Sequence, residues 1–151
     1  MVKVSAIQMS MGEDKGSNVA KAERLVREAA SNDANIVLLP ELFEGLYFCK
    51  DMDEKYFSWA SPLKGNALVK RFSDLAKELK IVLLVSYFEK SDNDYFNSLV
   101  VVNADGRVMD NYRKTHIPDG PGYEEKFYFK PGDSGFKVYD TSFGKIGVGI
   151  C

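Results

Sequence analysis

Ile36-Val37-Leu38-Leu39-Pro40-Glu41 sets four apolar residues against a proline and then a carboxylate. A short apolar run stopped by a residue that cannot donate to a ladder is the pattern of a strand buried on both faces. On its N-terminal side, residues 17–31 carry Val19, Ala22, Leu25, Val26, Ala29 and Ala30 at helical spacing. Ser17 or Asn18 is the expected cap, its side-chain oxygen taking an orphan backbone N–H. Before that, residues 2–9 alternate as a half-buried strand does. On the C-terminal side, residues 65–80 form a second amphipathic pattern, with Leu68, Val69, Phe72, Leu75, Ala76 and Leu79 on one face. Residues 81–88 are another buried strand. Strand, helix, strand, helix, strand predicts an α/β fold that layers helices on a sheet. Residues 96–103 and 107–114 then flank Ala104-Asp105-Gly106 as a hairpin. Residues 123–135 read as a loop rich in glycine, proline and aromatics. Residues 136–140 and 145–150 form a second hairpin around Ser142-Phe143-Gly144.

The whole has 151 residues, the size of one domain and enough to bury a core. The formal net charge is −2 with no basic stripe, so nucleic acid is not an expected partner. No apolar run approaches the roughly 20 residues that a membrane span needs. The alternation at the N-terminus reads as a strand rather than a signal peptide. Two cysteines, Cys49 and Cys151, make no disulfide framework, and the cytoplasm is the default compartment. No group of His, Cys and carboxylates has metal-ligand spacing, so neither metal nor other cofactor is expected.

Three residues stand at predicted strand ends and carry chemistry. Glu41 follows the run 36–40, at the carboxyl end of a strand, where α/β sheets place ligands. Burial there would favour the neutral acid and suit it to general-base work near neutral pH. Lys114 closes the strand 107–114 and could aim an ammonium at a developing oxyanion. Cys151 follows Lys145-Ile146-Gly147-Val148-Gly149-Ile150, where two glycines mark close backbone approach. A thiol there could be a nucleophile at a tight turn. Singly, each has a commoner reading: a solvated carboxylate, a solvated lysine, a small buried thiol. Together, a carboxylate, an ammonium and a thiol on one rim of one sheet supply a base, an oxyanion partner and a nucleophile.

Leu38-Leu39-Pro40-Glu41-Leu42-Phe43, Tyr112-Arg113-Lys114-Thr115-His116-Ile117-Pro118 and Gly147-Val148-Gly149-Ile150-Cys151 resemble the three signature segments of the nitrilase family of carbon–nitrogen hydrolases. They occur in the family's order and spacing, and the likeness spans the chain. The resemblance implies the N-terminal half of a four-layer α-β-β-α sandwich, because members of that family run on past the cysteine. It implies Glu41 as general base, Lys114 as stabiliser of the tetrahedral intermediate, Cys151 as nucleophile and Glu125 as a second catalytic glutamate, with Glu124 beside it. The loop from Ile117 to Asp133 resembles the branch that acts on a ureido group borne by a cationic aliphatic amine. The partners so implied are a small ureido or amide substrate and further copies of the chain. A carbamoyl amino acid or an ω-amide is the rival substrate, and a non-catalytic fragment or interaction subunit the rival role. Tyr47 and Phe48 could wall an alkyl-ammonium chain, or could be core aromatics. Trp59 reads as packing, and His116 as a structural hydrogen-bonding residue.

Overall fold

A computed structural model describes all 151 residues. Five strands form one sheet in chain order: β1 (Val4–Ala6), β2 (Ile36–Leu38), β3 (Val82–Ser91), β4 (Asp94–Val102) and β5 (Val108–Arg113). The pairs β1–β2 and β2–β3 are parallel, and each is bridged by a helix, α1 (Lys15–Ser31) and α2 (Ala67–Leu79). Parallel neighbours require such crossovers, whereas β3, β4 and β5 are antiparallel and need only tight turns. Two 3-10 turns (Phe48–Lys50 and Glu54–Trp59) precede α2, and a short α-helix, α3 (Glu125–Tyr128), precedes a separate hairpin of β6 (Val138–Thr141) and β7 (Gly144–Gly147).

The alternation of side chains along a strand divides the sheet into two chemically different faces. Val37, Leu83, Val85, Val100 and Val102 point to the face covered by Val19, Ala22 and Val26 of α1 and Leu68, Phe72 and Leu75 of α2. Ile36, Val82, Leu84, Leu99 and Val101 point the other way and meet Tyr139 of β6, with Ile146 and Ile150 alongside. That second face is only partly covered, and Val4, Leu38, Phe136 and Val138 are exposed. No helix is long and apolar enough to cross a membrane.

Local reading needs correction in several places. Helix α1 begins two residues early because Asp14, not Ser17 or Asn18, is the cap: its Oδ1 accepts from Ser17 N at 2.6 Å. Asn18 instead clamps a loop, accepting from Gly12 N at 2.8 Å and donating to Gly12 O at 2.8 Å and Glu44 O at 3.2 Å. β1 shrinks to three residues at the sheet edge, and residues 148–150 leave the ladder that β7 begins. The loop 123–135 contains α3, which has no apolar periodicity of its own. β3 and β4 pair as a hairpin that runs on to Ser91 and Asp94, beyond the strands read over residues 81–88 and 96–103.

Glu89 explains that extension. It is 4% exposed, on the helix-covered face, and four donors meet it. Arg113 reaches it through Nη2 at 2.7 Å and Nε at 2.9 Å, Ser98 Oγ at 2.5 Å and Asn111 Nδ2 at 2.7 Å. The guanidinium also lies 3.8 Å from the centre of the Phe96 ring. Burial works to raise the Glu89 pKa, but the bonds from Arg113, Ser98 and Asn111 outweigh it and hold the carboxyl below its ordinary range. A carboxyl depressed on folding stabilises the fold above its unfolded pKa and loses that contribution as pH falls. The stability difference between the wild type and Glu89→Gln is therefore expected to be constant from neutral pH to about 4.3 and to close below it. Urea midpoints at graded pH measure it, and a difference that widens on acidification would contradict the assignment.

Candidate active site

Glu41 sits in the turn that follows β2, held by a backbone under strain. Leu42 has φ of 51°, a left-handed conformation that a leucine adopts rarely. Its N–H donates to the buried Ser86 Oγ of β3 at 3.0 Å, which fixes the turn. Lys114 follows β5 directly. Its N–H donates to Asn97 O at 2.8 Å, and its carbonyl accepts from Gly132 N at 2.7 Å. Gly132 is needed there, because a Cβ would overlap the Arg113 carbonyl.

The side chains of these strand ends meet. Lys114 is 1% exposed, and its Nζ donates to Glu41 Oε1 at 2.9 Å and to Glu125 Oε2 at 2.7 Å. Glu125, itself 3% exposed, accepts at its other oxygen from Tyr47 OH at 2.7 Å. Asn97 Nδ2 donates to Glu41 Oε1 at 2.6 Å. Asn97, Glu41, Lys114, Glu125 and Tyr47 thus form one continuous chain on the sheet face away from the helices. Burial opposes the Lys114 charge, but the bonds to Glu125 and Glu41 prevail and raise its pKa above the ordinary lysine value. The Tyr47 hydroxyl is pushed well up by burial and by its bond to Glu125. The buried Cys49 thiol is likewise pushed up by burial and by the two nearby carboxylates, which leaves it protonated and inert.

Glu125 is delivered by α3, a helix of four residues that cannot stand alone. Aromatic packing holds it. Phe48 is 3% exposed, with ring centres of Tyr128, Phe88, Tyr56 and Trp59 at 5.0, 5.1, 5.4 and 5.8 Å. Tyr128 OH donates to Asp51 O at 2.6 Å and accepts from Asp53 N at 2.9 Å, while Glu124 N donates to Cys49 O at 2.6 Å.

Cys151 is exposed, with φ of 66°. It lines a cavity of about 380 Å³ together with Glu41, Leu39, Ser86 and Leu99. The fold therefore unites Glu41, Lys114 and Glu125 and gives Glu41 and Cys151 a common cavity. Four expectations change. Glu41 is not buried: its side chain is 34% exposed. Phe48 has no face left for a ligand, because core aromatics surround it. Tyr47 is 37% exposed and serves as a hydrogen-bond donor to Glu125. His116 is exposed and makes no side-chain hydrogen bond within the chain. Glu124 stays outside the network. Asn97 and Ser86 were not anticipated, although a polar pair, Asn97-Ser98, inside an apolar strand was a usable signal.

The chain belongs to the carbon–nitrogen hydrolase family, whose model matches residues 3–151. It is 53% identical to an N-carbamoylputrescine amidase from Arabidopsis thaliana over 99% of this chain and 50% of that protein. It is 47% identical to a citrullinase from Francisella tularensis, covering 99% of this chain and 52% of the relative. The crystal structure of a carbon–nitrogen hydrolase from Helicobacter pylori G27 superposes with a TM-score of 0.92 at 36% identity, over 99% of this chain and 52% of that one. The chain thus spans about half the length of the relatives it matches.

Removing a buried cation from between two carboxylates should be costly. Lys114→Met is expected to destabilise the protein by about 3–5 kcal/mol, because Glu125 stays buried without its cation. Lys114→Met with Glu125→Gln should recover most of that loss. Urea unfolding of both variants decides it, and a double variant no more stable than the single one would refute the account.

Proposed function

We propose that this chain is part of a longer enzyme that hydrolyses the ureido C–N bond of a carbamoylated aliphatic amine. N-carbamoylputrescine is the favoured substrate, giving putrescine for polyamine formation, carbon dioxide and ammonia. One observation carries this reading: the Lys114 ammonium, 1% exposed, is bonded to both Glu41 and Glu125, and Glu41 in turn lines a cavity with Cys151. The names of the relatives support the substrate class, since N-carbamoylputrescine and citrulline both carry a carbamoyl group on an amine.

In this reading Glu41 takes the proton from Cys151 Sγ, and the thiolate attacks the ureido carbonyl carbon. An ammonium has three N–H donors, and Lys114 spends two on the carboxylates. The third serves the oxygen that becomes negative in the tetrahedral intermediate. The intermediate collapses with loss of ammonia, protonated by Glu41. A carbamoyl thioester remains on Cys151. Water then gives a proton to Glu41 and attacks the thioester, and the thiol leaves with that proton restored. The carbamic acid released decomposes to carbon dioxide and amine. Glu125 keeps Lys114 charged and oriented, and Tyr47 fixes Glu125. The functional unit extends beyond Cys151, whose following backbone N–H is the natural second oxyanion donor. The citrullinase relative favours a second reading, in which a carbamoyl amino acid is the substrate.

In the full-length enzyme, Cys151→Ala should abolish ammonia release from N-carbamoylputrescine, and Lys114→Ala should lower kcat by about 10²–10³. Replacing the distal amine of the substrate by a carboxylate should lower kcat/KM sharply. Retained turnover in Cys151→Ala would defeat the mechanism. Equal or higher kcat/KM with citrulline would move the assignment to the second reading.

A further inference from the structure

Asn97 has no part in the chemistry just described, yet the site converges on it. It lies in β4, paired with Phe88 of β3, and is fully buried. Its backbone carbonyl accepts from Lys114 N at 2.8 Å and so sets where the ammonium begins. Its side-chain Nδ2 donates to Glu41 Oε1 at 2.6 Å. The same oxygen accepts from Lys114 Nζ at 2.9 Å, while Glu41 Oε2 takes no hydrogen bond within the chain. Asn97 Oδ1, in contrast, is buried without a partner.

We infer that Asn97 is a positioning residue for Glu41: with Lys114 it occupies Oε1 and thereby commits Oε2 to take and return the proton. This rests on the reading of Glu41 as the base. The two carboxylate oxygens are equivalent in a free side chain, because the terminal torsion is broad and two-fold. Two donors on one oxygen end that equivalence. Oε1 has its charge satisfied and becomes the poorer proton acceptor, while Oε2 keeps its lone pairs and its basicity. The donors also hold the carboxylate plane in one orientation, which proton transfer across a hydrogen bond requires. An amide suits the task because it donates without adding a second cation beside Lys114. The unpartnered Oδ1 points the same way. A buried carbonyl without a partner weakens the fold, and an apolar residue of similar size would avoid that loss. The amide is therefore best explained by what Nδ2 does.

The test measures ammonia release from N-carbamoylputrescine by the full-length enzyme with Asn97→Leu and Asn97→Asp. Both should lower kcat about 10- to 100-fold and leave KM within about twofold. Asn97→Asp should lose more, since it sets a carboxylate against Glu41. Asn97→Leu should melt at or above the wild-type temperature while losing turnover, the reverse of what a packing role predicts. A folded variant that keeps its kcat overturns the inference. If neither variant folds, a crystal structure of the wild-type enzyme decides: Nδ2 bonded to Oε1 supports the inference, and Nδ2 beyond 3.5 Å overturns it. Glu41→Gln in the same assay separates the two claims. If it retains turnover, the base assignment fails. If it is inactive while the Asn97 variants are normal, only the positioning role fails.

Discussion

Solvating one buried ammonium organises this structure. Lys114 is almost without access to water, so its charge depends on groups that the chain itself brings to it. Glu41 arrives from the end of β2, Glu125 from α3, and the backbone register from Asn97 in β4. Sequence separations of 73 and 11 residues are closed at one nitrogen atom. Each of these segments needs its own support. The turn at Glu41 is strained and tied to Ser86, and α3 is pinned by a cluster of aromatic rings. The strain and the packing are intelligible as means of satisfying a charge that cannot be left alone.

The sheet was legible in the sequence because its strands and helices have clean periods. Residues 36–39 and 81–88 are apolar blocks, and the two helices show one apolar face each. The same clarity put Glu41 and Lys114 at strand ends, and the family likeness added Glu125. What local pattern could not supply were contacts with distant residues. Tyr47 and Phe48 are neighbours with the same outward logic, yet Phe48 is enclosed by Tyr56, Trp59, Phe88 and Tyr128, while Tyr47 turns to Glu125. Glu89 falls outside the strand read over residues 81–88 because its counter-charge, Arg113, lies 24 residues on. Asp14 is the cap because its side chain accepts from Ser17 N, while Asn18 is engaged by Gly12 and Glu44.

The two faces of the sheet divide the labour. The helix-covered face holds the larger apolar cluster together with the Glu89–Arg113 pair, closed off from the cavity. The opposite face is less covered and holds the Lys114 network, the cavity and the hairpin that leads to Cys151. The packed side backs the side on which Glu41 and Cys151 line one cavity.

Adjacent cations on β5 have a further consequence for how the strand finds its partner. Arg113 and Lys114 point to opposite faces, the first into a fork-shaped acceptor at Glu89, the second between two separate carboxylates. A slip of one residue in the pairing of β4 with β5 would carry one of them to the other's site and bring an uncharged neighbour, Tyr112 or Thr115, to the site left behind. In one direction a planar guanidinium would enter a pocket built for a compact ammonium; in the other a point charge would face a site that offers parallel hydrogen bonds. Mispaired chains would leave buried acids poorly matched on both sides at once. The two basic residues thus match the native register of β5 on both faces of the sheet, as neither one-residue slip would.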